Sequence, residues 1–168
     1  MIHIRSKLPN EFTSNIANVF GDQGRAWLSG LDDIVNDCCN RWKLTRIELV
    51  VTLSFNLACF AVSPAYGNVV LKIGVPHPEL FTEIKSVKLF GHVMCQCYEY
   101  DAQLGAMLLE RITPGEDLRS IADLALRTRI ASDMMNKLHP ASRKERIQLR
   151  DRYGADFPPI SKWLSDAF

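Results

Sequence analysis

Hydrophobic residues recur at helical spacing near the start of the chain. Their positions form one apolar stripe and predict an amphipathic helix from about residue 22 to about residue 42. The residues of this stripe are Trp27, Leu31, Ile34, Val35, Cys38 and Trp42. Asp22 directly follows Gly21, and we expect its carboxylate to cap the N-terminus of the helix.

Short runs of β-branched and aromatic residues follow, within about residues 44–73. The runs cover residues 48–54, 58–62 and 68–73, and they are separated by Ser and Asn residues and by the segment 64–67. Such runs, broken by turn residues, are typical of strands that pair with their neighbours in sequence. The pattern therefore predicts a three-stranded antiparallel meander.

A second helix and two more strands are predicted next. Pro76 and Pro78 interrupt the chain before a helix at about residues 79–93. Two strands are predicted within residues 95–112, at about 95–100 and 106–112. One face of the helix carries the apolar residues Leu80, Ile84 and Val87.

The last regular pattern is a long helix at about residues 117–138. Residues 113–115, Thr-Pro-Gly, end the preceding strand, and Pro140 is expected to stop the helix. Its apolar positions are four residues apart, at Ala122, Leu126, Ile130, Met134 and Leu138. The predicted order is helix, three strands, helix, two strands, linker and helix, and its first part is the order of a kinase N-terminal lobe.

The composition of the 168 residues is that of an ordinary soluble domain, with 47% hydrophobic and 23% charged residues and a net charge of +1. The small net charge argues against a nucleic-acid partner. No apolar run approaches the roughly 18 residues that a membrane span needs. The N-terminal residues lack the apolar core of a signal peptide, so we expect a cytoplasmic protein with no membrane partner.

The cysteines are Cys38, Cys39, Cys59, Cys95 and Cys97. Their odd number and the adjacent pair favour reduced thiols that pack as small hydrophobic residues. Only one residue separates Cys95 from Cys97, whereas zinc ligands are usually separated by two or more. The sequence therefore predicts no metal site.

Lys72 lies in the middle of a predicted apolar strand. A cation there is unfavourable unless an anion meets it, and Glu83 follows eleven positions later in the predicted helix. A strand lysine held by a helix glutamate binds the phosphates of ATP in kinases. The alternative is a lysine whose ammonium reaches water. Glu83 has its own alternative, a solvated helix residue near Lys85 and Lys88.

Several segments together resemble the N-terminal part of the aminoglycoside phosphotransferase family, in the branch of streptomycin 6-kinases and hydroxyurea-inactivating kinases. The segments are residues 42–44 (Trp-Lys-Leu), 53–56 (Leu-Ser-Phe-Asn), 69–76 (Val-Val-Leu-Lys-Ile-Gly-Val-Pro), 79–84 (Glu-Leu-Phe-Thr-Glu-Ile), 105–115 (Gly-Ala-Met-Leu-Leu-Glu-Arg-Ile-Thr-Pro-Gly) and 133–140. The resemblance covers most of residues 27–140. It implies an α+β fold with a protein-kinase-like N-lobe at residues 1–112. Residues 113–168 would be a linker and the first helices of a truncated C-lobe.

The resemblance also implies an ATP-dependent kinase that phosphorylates a hydroxyl of a small molecule. Lys72 would contact the α- and β-phosphates of ATP, and Glu83 would hold Lys72 in place. Residues after the fifth strand would form the hinge, in which the carbonyl of Glu110 and the N–H of Ile112 contact adenine. Leu109 would be the gatekeeper beside that hinge.

The loop before the second strand departs from the protein-kinase pattern, because it has no glycine where a Gly-rich loop would cover the phosphates. Ser54 and Asn56 would then supply hydrogen-bond donors to the phosphates. Both residue types are also common in hairpin loops for reasons of turn geometry alone.

The family's catalytic loop, His-Gly-Asp-x-His…Asn, and its metal-binding Asp do not occur in these residues. The complete family uses magnesium, but no residue here is assigned as its ligand or as the catalytic base. We therefore expect the chain alone to be inactive.

Two alternatives to a kinase stay open. One is an inactive remnant, or an N-terminal half that requires a separate C-lobe chain or self-association. The other is an interaction module that binds no nucleotide. A small-molecule acceptor would bind only where a C-lobe is supplied.

Overall fold

The computed structural model describes residues 2–139 and 143–154, together with residues 157 and 161. The chain divides into two compact units. The first consists of residues 1–91 and 95–112, and the second of residues 92–94 and 113–168.

The N-terminal helical region is longer than predicted and is divided in two. Helix α1 spans Asn10–Ser29 and helix α2 spans Leu31–Trp42. The predicted single helix at 22–42 is therefore wrong, because the chain leaves helical geometry at Gly30. Asp22 does not cap a helix, since it lies inside α1 and pairs with Arg25 at 2.6 Å.

Helix α1 also bends in its middle, at Gly21. This residue has φ of 55° and ψ of −131°, a conformation that favours glycine. Gly24 lies so close to the preceding turn that a Cβ there would come within 2.5 Å of the carbonyl oxygen of Ile16. The two glycines let Phe12 and Ile16, upstream of the bend, reach the same core as Trp27.

The first unit contains one five-stranded antiparallel sheet with the order β1-β2-β3-β5-β4. Its strands are β1 (Thr45–Leu49), β2 (Asn56–Ser63), β3 (Gly67–Gly74), β4 (Cys97–Asp101) and β5 (Ala106–Glu110). The predicted α+β class with a five-stranded antiparallel sheet is confirmed. The first strand ends at Leu49 rather than at residue 54, since β2 begins only at Asn56 and leaves the loop without a partner strand.

Helix α3, Pro78–Phe90, follows β3 and has proline in its first turn, where a missing N–H is tolerated. The predicted helix extended to residue 93, but α3 ends at Phe90 and Gly91 follows as its C-cap. The flanking strands are also shorter than predicted, because β4 begins at Cys97 and β5 ends at Glu110.

Both faces of the sheet are covered by helices. Alternate residues of β3, including Leu71 and Ile73, pack in a core that contains residues of α1 and α2 such as Ile16 and Leu31. On the opposite face, residues of β5 pack against the apolar face of α3. That second cluster consists of Leu80, Ile84, Val87, Met107 and Leu109.

All five cysteines are free thiols, and Cys38, Cys39 and Cys59 lie in the larger core. Burial raises the pKa of Cys38 and of Cys59 to about 12, and that of Cys39 to about 11. These three thiols are therefore neutral at pH 7 and pack as small apolar groups.

The second unit contains a 3₁₀ turn, Leu118–Ser120, helix α4, Leu124–Leu138, and helix α5, Arg143–Tyr153. The long helix predicted from residue 117 begins later, because Asp117 caps the 3₁₀ turn and the chain is extended at Ile121. The Asp123 carboxylate then caps α4 by accepting two backbone N–H groups. Pro140, the predicted stop, lies outside the described residues.

Helix α4 has no buried residue. Leu124 is 68% exposed and Met135 is 53% exposed. No helix within the described residues combines the length and the hydropathy needed to cross a membrane.

Asp101 connects the β4–β5 turn to helix α2. Its carboxylate accepts the backbone N–H groups of Gln103 at 2.9 Å and Leu104 at 3.0 Å, and it also pairs with Arg41. The backbone N–H of Leu104 is the main cause that lowers the pKa of Asp101, and Gln103 and Arg41 lower it further. The charged carboxylate therefore stabilises this end of the sheet.

We predict that Asp101→Ala lowers the free energy of unfolding by about 2 kcal/mol at pH 7, because two hydrogen bonds to a charged acceptor are lost. Since the pKa of Asp101 is lowered on folding, its contribution is complete above about pH 4 and is lost as the pH falls below that value. Urea denaturation of both proteins between pH 2.5 and pH 7 measures the difference.

The matched control is Asp37→Ala, which removes the other carboxylate that pairs with Arg41, at an exposed position. It should change the free energy of unfolding by less than about 0.5 kcal/mol. Equal effects of the two substitutions at pH 7 would contradict the role of Asp101.

Candidate functional site

Lys72 and Glu83 meet on the α3 face of the sheet. Because side chains alternate along a strand, Leu71 and Ile73 point into the larger core while Lys72 points to the opposite face. Its Nζ donates a hydrogen bond to Oε1 of Glu83. The side chains are 23% and 36% exposed, so the ion pair is partly shielded from water and still accessible.

The packing of α3 determines where Glu83 points. Leu80, Ile84 and Val87 attach one side of the helix to the sheet, and Glu83 immediately precedes Ile84. The end of β3 lies close to the β4–β5 turn, where the N–H of Gly74 donates to the carbonyl oxygen of Gly105 at 2.9 Å. Leu80 packs against both glycines, which have no Cβ to obstruct it.

Two rows of side chains cross this face of the sheet. In the first row, Ala58 of β2 and Met107 of β5 lie opposite Lys72. The next row consists of Phe60, Val70 and Leu109, one side-chain repeat further along the strands. Ala58 and Phe60 are half-buried, so a partly exposed apolar surface adjoins the ammonium of Lys72.

The residues predicted to form the hinge lie next to this surface, at the end of β5 and just after it. Leu109 is 8% exposed and packs in the α3 cluster. Glu110 ends β5; its N–H donates to the carbonyl oxygen of Gln96 at 2.8 Å, and its carboxylate accepts the N–H of Gln96. Ile112 is 56% exposed.

The two residues predicted to cover the phosphates lie in different surroundings. Ser54 is exposed in the loop between β1 and β2. Asn56 is the first residue of β2, lies opposite Gly74, and places its side-chain oxygen against Gly74. The side chain of Asn56 therefore packs across the end of the sheet.

Phe60, Arg111 and Cys95 were missed by the reasoning from sequence. The Arg111 guanidinium carbon lies 3.8 Å from the ring centroid of Phe60. Cys95 packs beside the α3 cluster, and burial is the main cause that raises its pKa, with Lys72 and Glu83 near enough to contribute. Phe60 lies two residues after Ala58 on the same strand, so the two side chains share a face. Its place beside the site could therefore be inferred once the pairing of Ala58 with Lys72 is known.

This arrangement is chemically suited to a nucleotide. The ammonium of Lys72 can neutralise phosphate charge, and the adjoining apolar surface can hold a planar base. The part of the chain that the structure describes contains no group of three or more His, Cys, Asp or Glu side chains that could hold a metal ion. The described residues thus offer a cation and an adjoining apolar surface, which suit the two ends of a nucleotide.

A helix glutamate that binds a strand lysine, on a five-stranded antiparallel sheet, is compatible with a kinase-like N-lobe. Streptomycin 6-kinase from Streptomyces glaucescens is 26% identical to this chain over 118 residues, which are 70% of this chain and 38% of the relative. Streptomycin 6-kinase from Streptomyces griseus is 26% identical over 133 residues, or 79% of this chain and 43% of the relative.

These two matches confirm the predicted resemblance to the streptomycin 6-kinase branch of the aminoglycoside phosphotransferase family. The chain spans less than half the length of either curated relative. No family model matches the chain. No solved structure matches it either.

We predict that Glu83→Gln lowers the free energy of unfolding by about 1 kcal/mol, because the partly buried ammonium of Lys72 then lacks an anionic partner. Lys72→Met should remove most of that penalty in the Glu83→Gln background. Urea denaturation of the four proteins of this double-mutant cycle measures the coupling between the two residues.

Glu79→Gln is the matched control for this cycle, since Glu79 is a carboxylate on the same helix with a 63% exposed side chain. It should change the free energy of unfolding by less than about 0.5 kcal/mol. Effects of Lys72→Met and Glu83→Gln that add within about 0.3 kcal/mol would show that the two side chains are not coupled.

Proposed function

We propose that this chain is the nucleotide-binding lobe of an ATP-dependent phosphotransferase that acts on a hydroxyl group of a small molecule. The observation that carries the proposal is the Lys72–Glu83 ion pair beside a partly exposed apolar surface. The names of the two relatives support an aminoglycoside of the streptomycin type as the acceptor. Hydroxyurea is the second acceptor that we propose to test.

Each residue of the site has a distinct task in this proposal. Lys72 binds the α- and β-phosphates, and Glu83 fixes the direction of its ammonium. Leu109 lies behind the base, while the carbonyl of Glu110 and the N–H of Ile112 bind the edge of adenine. ATP, when bound, supplies the γ-phosphoryl group.

The loop between β1 and β2 completes the phosphate side of the site. Ser54 is exposed there and donates its hydroxyl to the phosphates. Asn56 contributes less directly, because its side chain packs against Gly74 and holds the base of the loop.

Phosphoryl transfer needs more than these residues. Residues 113–168 are proposed to be the linker and the first helices of a C-lobe, and a C-lobe binds the acceptor. The family's catalytic loop, His-Gly-Asp-x-His, does not occur in the 168 residues, and neither does the family's metal-binding Asp. In this proposal the chain by itself therefore binds the nucleotide and does not transfer the phosphoryl group. Its proposed location is the cytoplasm.

The exposed face of α4 favours a second candidate function, an interaction module. None of the helix is buried among the described residues, and its apolar stripe of Leu126, Ile130, Met134 and Leu138 is half-exposed. A separate C-lobe chain or a second copy of this chain would cover that stripe. Such a module need not bind ATP, so nucleotide binding separates the two candidates.

We predict that calorimetric titration of the 168-residue chain with ATP detects weak binding. Lys72→Ala should reduce the affinity at least about tenfold, because a charge-assisted hydrogen bond to phosphate is lost. Lys88→Ala is the matched control: Lys88 is on α3 as well, but its ammonium lies 4.0 Å from the ring centroid of Tyr100. Absence of binding by the wild type, or equal affinity of wild type and Lys72→Ala, would overturn the nucleotide-lobe proposal.

We also predict no phosphate transfer when the isolated chain is incubated with radiolabelled ATP and either streptomycin or hydroxyurea. The reason is that no catalytic base or metal ligand can be assigned in these residues. Product detected by mass spectrometry above the level of a Lys72→Ala control would show that the chain contains the complete catalytic machinery.

A further inference from the structure

Arg111 and Phe60 form a cation–π pair beside the predicted hinge. Arg111 directly follows the last residue of β5, and its guanidinium carbon lies 3.8 Å from the centroid of the Phe60 ring. Both side chains are half-buried. Among the described residues, Arg111 has no carboxylate partner, so its stacking on Phe60 is its defining contact.

The position of this pair relative to Lys72 follows from the strand register. Phe60 lies opposite Val70, and Ala58 lies opposite Lys72, so the aromatic ring and the ammonium are on the same face of the sheet. Neighbouring strands are about 4.8 Å apart, and residues two apart on one strand are separated by about 6.7 Å. Phe60 is thus offset from Lys72 by one strand and one side-chain repeat.

The distance between Lys72 and Phe60 that this offset implies is comparable to the distance between the phosphates and the base of a nucleotide. The ammonium of Lys72 attracts phosphate, and a ribose placed over the neighbouring strand carries the base toward Phe60. A guanidinium is planar and stacks on aromatic rings, and nucleobases stack on guanidinium planes in turn. The Arg111 guanidinium lies over the Phe60 ring and its side chain is only half-buried, so a base can reach the guanidinium from the solvent side.

We propose that Arg111, supported by Phe60, is the base-stacking wall of this site and selects purine nucleoside triphosphates. The purine lies on the guanidinium, which lies on the Phe60 ring, and the three planar groups form one stack. The larger π-surface of a purine makes this stack stronger than that of a pyrimidine. The inference rests on the proposed nucleotide-binding function and identifies the residues that determine its base preference.

A purely structural role for the same pair makes a different prediction. If Arg111 only attaches the segment after β5 to strand β2, its loss lowers thermal stability but leaves the base preference unchanged. The informative quantity is therefore the ratio of the affinities for ATP and for inorganic tripolyphosphate, which carries the phosphates without a base.

The experiment measures the dissociation constants of ATP, CTP and tripolyphosphate by calorimetry on the folded 168-residue chain. The wild type should bind ATP about tenfold more tightly than tripolyphosphate, with CTP in between, because base stacking contributes to affinity. Arg111→Lys keeps the charge but removes the planar group, and should reduce the preference for ATP over tripolyphosphate at least about threefold, while the backbone contacts of Glu110 and Ile112 with adenine remain. Phe60→Leu keeps the apolar volume and should reduce the same ratio.

The affinity for tripolyphosphate should be unchanged in both variants, since Lys72 is intact. Arg25→Lys is the matched control, because Arg25 is an exposed arginine on α1 that pairs with Asp22. Circular dichroism and thermal melting establish that each variant is folded before its affinity is compared.

An unchanged ratio in folded Arg111→Lys and Phe60→Leu would overturn the stacking proposal. Equal wild-type affinities for ATP and tripolyphosphate, both weakened by Lys72→Ala, would also overturn it while leaving the proposed function intact. A wild type that binds none of the three ligands would reject the proposed function, and the stacking inference with it.

Discussion

Strand β3 has apolar residues on both of its faces, with Val69, Leu71 and Ile73 on one and Val70 beside Lys72 on the other, and the sheet is covered on each side. Helices α1 and α2 contribute residues to the core on one face, and α3 forms the smaller cluster on the other. Lys72 is the exception in this strand, a cation among apolar neighbours that would be unfavourable without an anion. Because α3 must pack on that face to bury its own apolar side, the same contact that completes the fold also delivers Glu83 to Lys72.

The proposed function rests on the part of this face that α3 leaves accessible. Ala58 and Phe60 on β2 are half-buried and lie in the same two rows as Lys72 and Val70. An apolar strip that leads away from a fixed ammonium is suited to a ligand with a phosphate end and a planar end. The matches to two enzymes named streptomycin 6-kinase cover 70% and 79% of this chain, while more than half of each relative lies outside the matched region.

Spacing in the sequence was enough to predict the α+β class, the five strands and the proximity of Lys72 to Glu83. Periodicity failed at Gly30, where a break divides what the apolar stripe suggested was one helix, and it did not reveal the helical turns that precede the bend at Gly21. The pattern also could not distinguish Asp117 from Asp123 as the cap of α4, because each begins a short polar segment that suits a helix start.

The sequence by itself indicated which residues of the strands and of helices α2 and α3 are buried, because alternation in strands and the 3.6-residue repeat in helices assign each side chain to a face. The same repeat in α4 did not predict burial, since its apolar stripe is half-exposed. The sequence also determined that Lys72 needs an anionic partner, since the strand around it is apolar. Only the tertiary structure decided which side chains are neighbours across strands. The contact of Arg111 with Phe60 joins residues 51 positions apart, and it depends on the register of β2, β3 and β5, which no local pattern encodes.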